Sequence, residues 1–525
     1  MRQGNRRRLR RSSHVVTLVL AGTVLASAAA RAQDATWLTS PGSNDFDTPA
    51  NWSSGSVPTG TAFFDTSDTT SLTFSANPAI GGWTFNAGAS NYTFSNADVL
   101  TFNGAGIVID GGSATIGNTG TINFDNTSTA GSVAISNTSG DIFFNNSSTA
   151  GSATLTNGLG TVNFTDTSTA GSATINNITV GSINFINSST AGGATINNTG
   201  GGTINFIDSS TAGSATIANS WSIEFNDYST AGSATIINNT GLDGETDFVG
   251  NSTAGSATII NNSTLSFEDS ATAGNATIIN NNGGNISFYG GSTAGNAAIT
   301  NNAGGVVDFS LSTGPASNNQ LSAGSIAGAG NFYLGGNALT VGGNNLSAIV
   351  SGVISDCGAG GTACMAYTET ETEFVTSNTG GSLVKVGTGT LTLSGDNTYT
   401  GATTIDGGTL EVDGTIADSS SVTVNAGGTL SGTGTAAPAT IMNEGVLAPG
   451  NAANLAGTLT IAGNLAFQNS ALYLVTVSGA NASSTNVMGS ASLGGNVQVA
   501  FASAPTAKSY EILQSSGLGG SMFAG

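Results

Sequence analysis

The sequence predicts an all-β protein, a parallel β-helix (β-solenoid) whose coils are about 20 residues long. Three observations lead there. A turn glycine recurs at 131, 151, 171, 192, 213, 232, 255, 274 and 295, in steps of 19 to 23 residues, with no helical periodicity between. Seven residues before each glycine stands a phenylalanine: Phe124, Phe144, Phe164, Phe185, Phe206, Phe225, Phe248, Phe267 and Phe288, with Phe309 opening a further unit. Four residues after each glycine stands Ile or Leu, and two further on an asparagine: Asn137, Asn157, Asn177, Asn198, Asn219, Asn238, Asn261, Asn280 and Asn301.

Faces follow from alternation. In Ile204-Asn205-Phe206 the outer two residues are apolar and the middle one polar, the pattern of a half-buried strand. Ala215, Ile217 and Asn219 share one face of the next strand. Both sets are expected to point inward, forming a phenylalanine column, an aliphatic column and an asparagine ladder bonded along the axis. These residues read as scaffold. The length variation falls between the asparagine and the next phenylalanine, so one corner of the coil tolerates insertion.

The chain begins with an address. Residues 1–11 carry six arginines, 15–30 are apolar and small, and Ala30-Arg31-Ala32 fits a cleavage site before Gln33. Residues 1–32 are expected to be a secretory signal peptide, too short in its apolar core to anchor comfortably in a bilayer. They hold seven of the nine Lys and Arg and the single histidine, His14; beyond them Lys385 and Lys508 face 30 Asp and Glu, 2 − 30 = −28. That balance excludes nucleic acid as a partner. Without histidine, residues 33–525 supply no Ser-His-Asp triad, Cys-His pair or His-ligated zinc. No cofactor is expected.

Residues 33–110 hold short alternating runs and the aromatics Trp37, Phe46 and Trp52, expected to cap the open end of the solenoid rather than to stack on carbohydrate. The tandem repeats fill 111–310. Residues 311–380 lose the period and are expected to be irregular Gly/Asn-rich coils and a loop. They hold Cys357 and Cys364, a local disulfide candidate in an exported chain. Carboxylates remain as the chemistry. Asp243, Glu245 and Asp247 stand in the longest inter-repeat insertion; their spacing matches no calcium motif, and they read as a solvated acidic loop. At the outward middle position of the phenylalanine strand, Glu224 and Asp247 are acidic neighbours.

At 381–416 a specific resemblance appears. Leu383-Val-Lys-Val-Gly-Thr-Gly-Thr-Leu-Thr-Leu-Ser-Gly-Asp-Asn-Thr-Tyr-Thr-Gly401, continuing to Gly407-Gly-Thr-Leu-Glu-Val412, closely resembles the autotransporter-associated β-strand repeat. Asn443-Glu-Gly-Val-Leu-Ala-Pro-Gly450 and Gly457-Thr-Leu-Thr-Ile-Ala-Gly-Asn-Leu465, within 417–525, look like the last passenger coils of type V autotransporters. The resemblance implies a right-handed β-helix displayed on or released from a Gram-negative outer surface. It also implies a membrane β-barrel, which is missing from this chain as written. The expected function is a monomeric, non-catalytic adhesin, spacer or matrix protein with a glycan or protein as surface ligand. The alternatives are a polysaccharide-degrading β-helix enzyme using clustered carboxylates and a flat threonine array binding a crystal surface.

Overall fold

Strands of four residues with period-2 burial are the unit of this chain. In Thr203–Phe206, Ile204 and Phe206 are fully buried while Thr203 and Asn205 are only partly so. The computed structural model describes residues 32–240, 244–357, 365–368, 371–374 and 379–525. The expected signal peptide, apart from Ala32, lies outside the described residues, as does Asp243.

The strands stack in parallel into a solenoid. The first wall is a 16-stranded sheet running from Ala35–Thr36 to Ile354–Ser355, and the second a 13-stranded sheet from Ser71–Thr73 to Ser325–Ala327. A third wall is one residue wide. Thr129, Thr149, Thr169, Thr190, Thr211, Thr230, Thr253, Thr272 and Thr293 bridge one another in sequence. Each of these threonines accepts, at Oγ1, a hydrogen bond from the N–H of its turn glycine two residues on, at 2.9 to 3.2 Å. Those glycines have φ near +61°, a backbone that a side chain would strain.

Register is kept without a slip through the repeats. Phe164 lies beside Phe185, Phe185 beside Phe206, and Phe206 beside Phe225. From Phe124 to Phe309 successive ring centroids are 4.6 to 5.0 Å apart, with planes within 4° to 10°. That spacing is the inter-strand distance of a sheet, so the backbone imposes the stack. The buried asparagines form the companion column. The Nδ2 of Asn198 donates to Oδ1 of Asn219 at 2.9 Å, and Asn219 to Asn238 at 3.0 Å. Nδ2 also donates to the carbonyl that closes the following corner, as from Asn157 to Gly160 (2.9 Å) and Asn238 to Gly244 (3.1 Å). The asparagine thereby fixes both ends of a corner that runs from two to six residues, which explains why length varies there and register does not.

The second corner has its own rule. Two residues after each repeat phenylalanine the backbone is left-handed: Asn126, Asn146, Asp166, Asn187, Asp208, Asp227, Gly250, Asp269 and Gly290 all have φ between +56° and +75°. Asn, Asp and Gly are the residues that tolerate this conformation.

The amino-terminal end is closed by aromatics. Trp37 and Trp52 are 1% and 2% exposed; their centroids are 5.1 Å apart, and Phe46 lies 4.9 Å from Trp52. Their burial leaves no platform for a sugar. Past residue 310 the 20-residue motif fades but the stack continues. Asn331–Tyr333 pairs with Val306–Asp308, Ser325–Ala327 with Ala298–Asn301, and new parallel sheets start at Gln320–Ala323 and Ala348–Val350. Met365–Thr368 and Glu371–Phe374 pair antiparallel in a two-stranded sheet separate from the stacked ones. Cys357 is disulfide-bonded; Cys364 lies outside the described residues.

Candidate functional face

The outward middle position of the phenylalanine strand carries the neighbouring acids Glu224 and Asp247. Register pairing runs Asn123, Phe143, Asn163, Asn184, Asn205, Glu224, Asp247, Ser266, Ser287, Asp308. Glu224 and Asp247 are thus direct register partners. The position is less open than alternation implies, which corrects the expectation of a solvent-facing row. Asn163, Ser266 and Ser287 are 9%, 5% and 4% exposed. The neighbouring side chains, one strand spacing away on either side, shade each other. They also bond: Asn205 Nδ2 donates to Asn184 Oδ1 and Asn184 Nδ2 to Asn163 Oδ1, both at 2.8 Å.

Asp247 therefore sits in a drier place than a loop acid. It lies on the strand Glu245–Phe248, and Ser266 Oγ donates to its Oδ1. Burial pushes its carboxyl up to about 7; repulsion from Glu245, Glu268 and Glu224 adds to this, and the Ser266 bond opposes it. Burial, with Asp269 and Glu245, also raises Glu268. Burial raises Asp308 against bonds from Ser310. A carboxyl half protonated near neutrality beside a second carboxylate is material for general acid–base work. Among the described residues no group of three or more His, Cys, Asp or Glu is placed to hold a metal ion.

Three buried features escape a reading by alternation. Ser128, Ser148, Ser168, Ser189, Ser210, Ser229, Ser252 and Ser292 are fully buried, and among the described residues their hydroxyls find no hydrogen-bond partner. Lys385 is 1% exposed, in register with Val341 and Ile405. Its Nζ donates to the carbonyls of Val386 (2.7 Å), Gly407 (3.1 Å) and Gly387 (3.4 Å), and burial holds its ammonium below the ordinary 10.5. In the same motif Asn397 accepts from the Ile354 N–H (2.9 Å) and donates to the carbonyls of Gly395 and Thr415, while Tyr399 Oη shares a 2.7 Å bond with Thr403 Oγ1. Polar residues of the motif are thus joints between coils.

Comparison with known proteins agrees with this geometry. Residues 383–412 match the passenger-associated-transport-repeat family. A stretch of 97 residues is 41% identical to an extracellular serine protease of Serratia marcescens, covering 18% of this chain and 9% of that protein. The matched repeat, the partial likeness and the parallel solenoid together support an autotransporter passenger domain. The repeat at 383–412 is built into the body of the spine.

Proposed function

We propose that this chain is an exported passenger, displayed on or released from a Gram-negative outer surface, where its solenoid serves as an adhesive or spacing rod without catalysis of its own. The observation that carries this reading is the passenger repeat at 383–412, stacked in continuous parallel register with the rest of the solenoid. A protease activity does not carry over from the Serratia protein, because the likeness covers 9% of it and residues 33–525 contain no histidine. The stacked columns need no site to function as a rod. Its partner is a glycan or a protein on the opposing surface.

One observation favours a second reading, a polysaccharide-degrading enzyme: the raised carboxyl of Asp247 beside Glu224. The purified chain is to be incubated with pectins, glucans and casein, and products separated by mass. In parallel, labelled protein is added to cells and its retention measured. The proposal expects retention and no products. Turnover abolished by Glu224→Gln or Asp247→Asn replaces it with the enzyme.

A further inference from the structure

The last coils carry a trough that the passenger role as such does not require. Two clefts of about 360 Å³ each lie there. One is lined by Thr458, Ser484, Asn486 and Gln514, the other by Ala456, Ala480, Asn481 and Tyr510; they share Thr458 and Glu511 and so form one trough. Each lobe alone falls in the ~300–1,000 Å³ range of small-ligand sites.

The strands arrange its floor. Thr458 pairs with Ser484 and Asn486 with Gln514 in parallel register, so outward side chains of three successive coils fall in rows. Thr458 Oγ1 and Ser484 Oγ are 2.8 Å apart and pin each other. The rim is fixed at Tyr510, whose Oη donates to the Gly479 carbonyl (2.6 Å) and accepts from the Ala507 N–H (3.1 Å). Among the described residues, the side chains of Asn486, Glu511 and Gln514 enter no hydrogen bond with the protein, so their donors and acceptors are free for a ligand.

Lining chemistry selects the ligand. Hydroxyls and amides both donate and accept, which matches a ligand whose own groups do both. The lining holds one carboxylate, Glu511, and no cation, which disfavours phosphate, sulfate and acidic glycans, although Lys508 flanks it. The exposed lining is mostly polar in both lobes, which does not suit a lipid or an apolar peptide. We propose that this trough binds a neutral, polyhydroxylated chain, an uncharged oligosaccharide, and that it is the contact surface of the rod. The inference rests on the adhesive reading above and gives it an address.

The test uses the full chain with cello-, laminari-, xylo-, manno- and maltohexaose as probes in calorimetry and saturation-transfer NMR. A heparin hexasaccharide and an oligolysine serve as comparators. Binding of at least one neutral hexaose is expected, weakened ten-fold or more in Asn486→Ala/Glu511→Gln/Gln514→Ala. Thr195→Ala/Thr216→Ala, on the outer face of distant coils, leaves it unchanged. Circular-dichroism melts establish that every variant is folded. No binding of any neutral hexaose, binding indifferent to the triple variant, or preference for oligolysine overturns the proposal. Cell retention that survives the triple variant overturns the trough while leaving the passenger reading intact; loss of all cell retention in the wild type overturns the adhesive reading itself.

Discussion

Replacing Asp247 by Asn should stabilise the protein above neutral pH and leave it little changed in acid. The folded carboxyl titrates at about 7 against an ordinary value of 3.8, so the native state holds a proton that the unfolded chain has released. A group raised in this way favours the fold fully below ~4, and that benefit is lost as pH climbs through about 7. At ~1.4 kcal/mol per tenfold change in proton affinity, the ceiling on the cost of the ionised form is ~4 kcal/mol. Residual solvent contact reduces the expected gain to ~2–3 kcal/mol at pH 8. Asparagine suits the site, since Asn163, Asn184 and Asn205 occupy the same register and bond along it. The assay is guanidinium unfolding of both proteins at pH 4, 6 and 8. Taking the difference cancels the other carboxylates. Unfolding curves that shift in parallel at all three pH values, with Asp247→Asn no more stable at pH 8 than at pH 4, refute the burial assigned to this side chain.

Phe206→Ala should cost ~3–5 kcal/mol by removing a ring from a continuous stack, and Asn205→Ala ~1 kcal/mol through its outer ladder bond; equal midpoint losses in denaturant contradict the assigned faces. Ser210→Ala should be neutral or stabilising by up to ~1 kcal/mol, because a buried hydroxyl without a partner opposes folding; Ala271 already fills the equivalent place, and a clear loss on thermal melting means the hydroxyl is bonded. Lys385→Met should cost ~1–3 kcal/mol by orphaning carbonyls. Because burial lowers the folded lysine below 10.5, the wild type should gain stability as pH rises toward 10.5, a slope that melting curves of the variant lack.

The fold was legible because each coil repeats the same physical demand. Phenylalanine at a fixed distance from a left-handed glycine specifies strand, corner and register together, and parallel stacking follows when every unit makes the same demand. Less legible was anything that depends on the neighbouring coil. Alternation marks Asn205 and Asp247 as outward, yet it does not report that identical positions one strand spacing away shade them. Lys385 reads as a surface lysine until its register with Val341 and Ile405 is known. The corner rule two residues after each phenylalanine was present in the letters, as an unbroken series of Asn, Asp or Gly, and is a signal that a search for apolar periodicity passes over. The trough is assembled from residues 456 to 514, so no local motif announces it.

The single-residue third wall has a mechanical consequence. From Thr129 to Thr293 each coil is held to the next by two short ladders and one threonine bridge, all of them perpendicular to the strands and parallel to the axis. Tension applied between the two ends of the rod loads these bonds one coil at a time, so they unzip rather than shear. Every rupture frees about 20 residues, a contour of roughly 70 Å at ~3.5 Å per residue. Because the interior columns repeat, the force at successive ruptures is nearly the same. A rod of this kind, pulled at its two ends, lengthens in even steps.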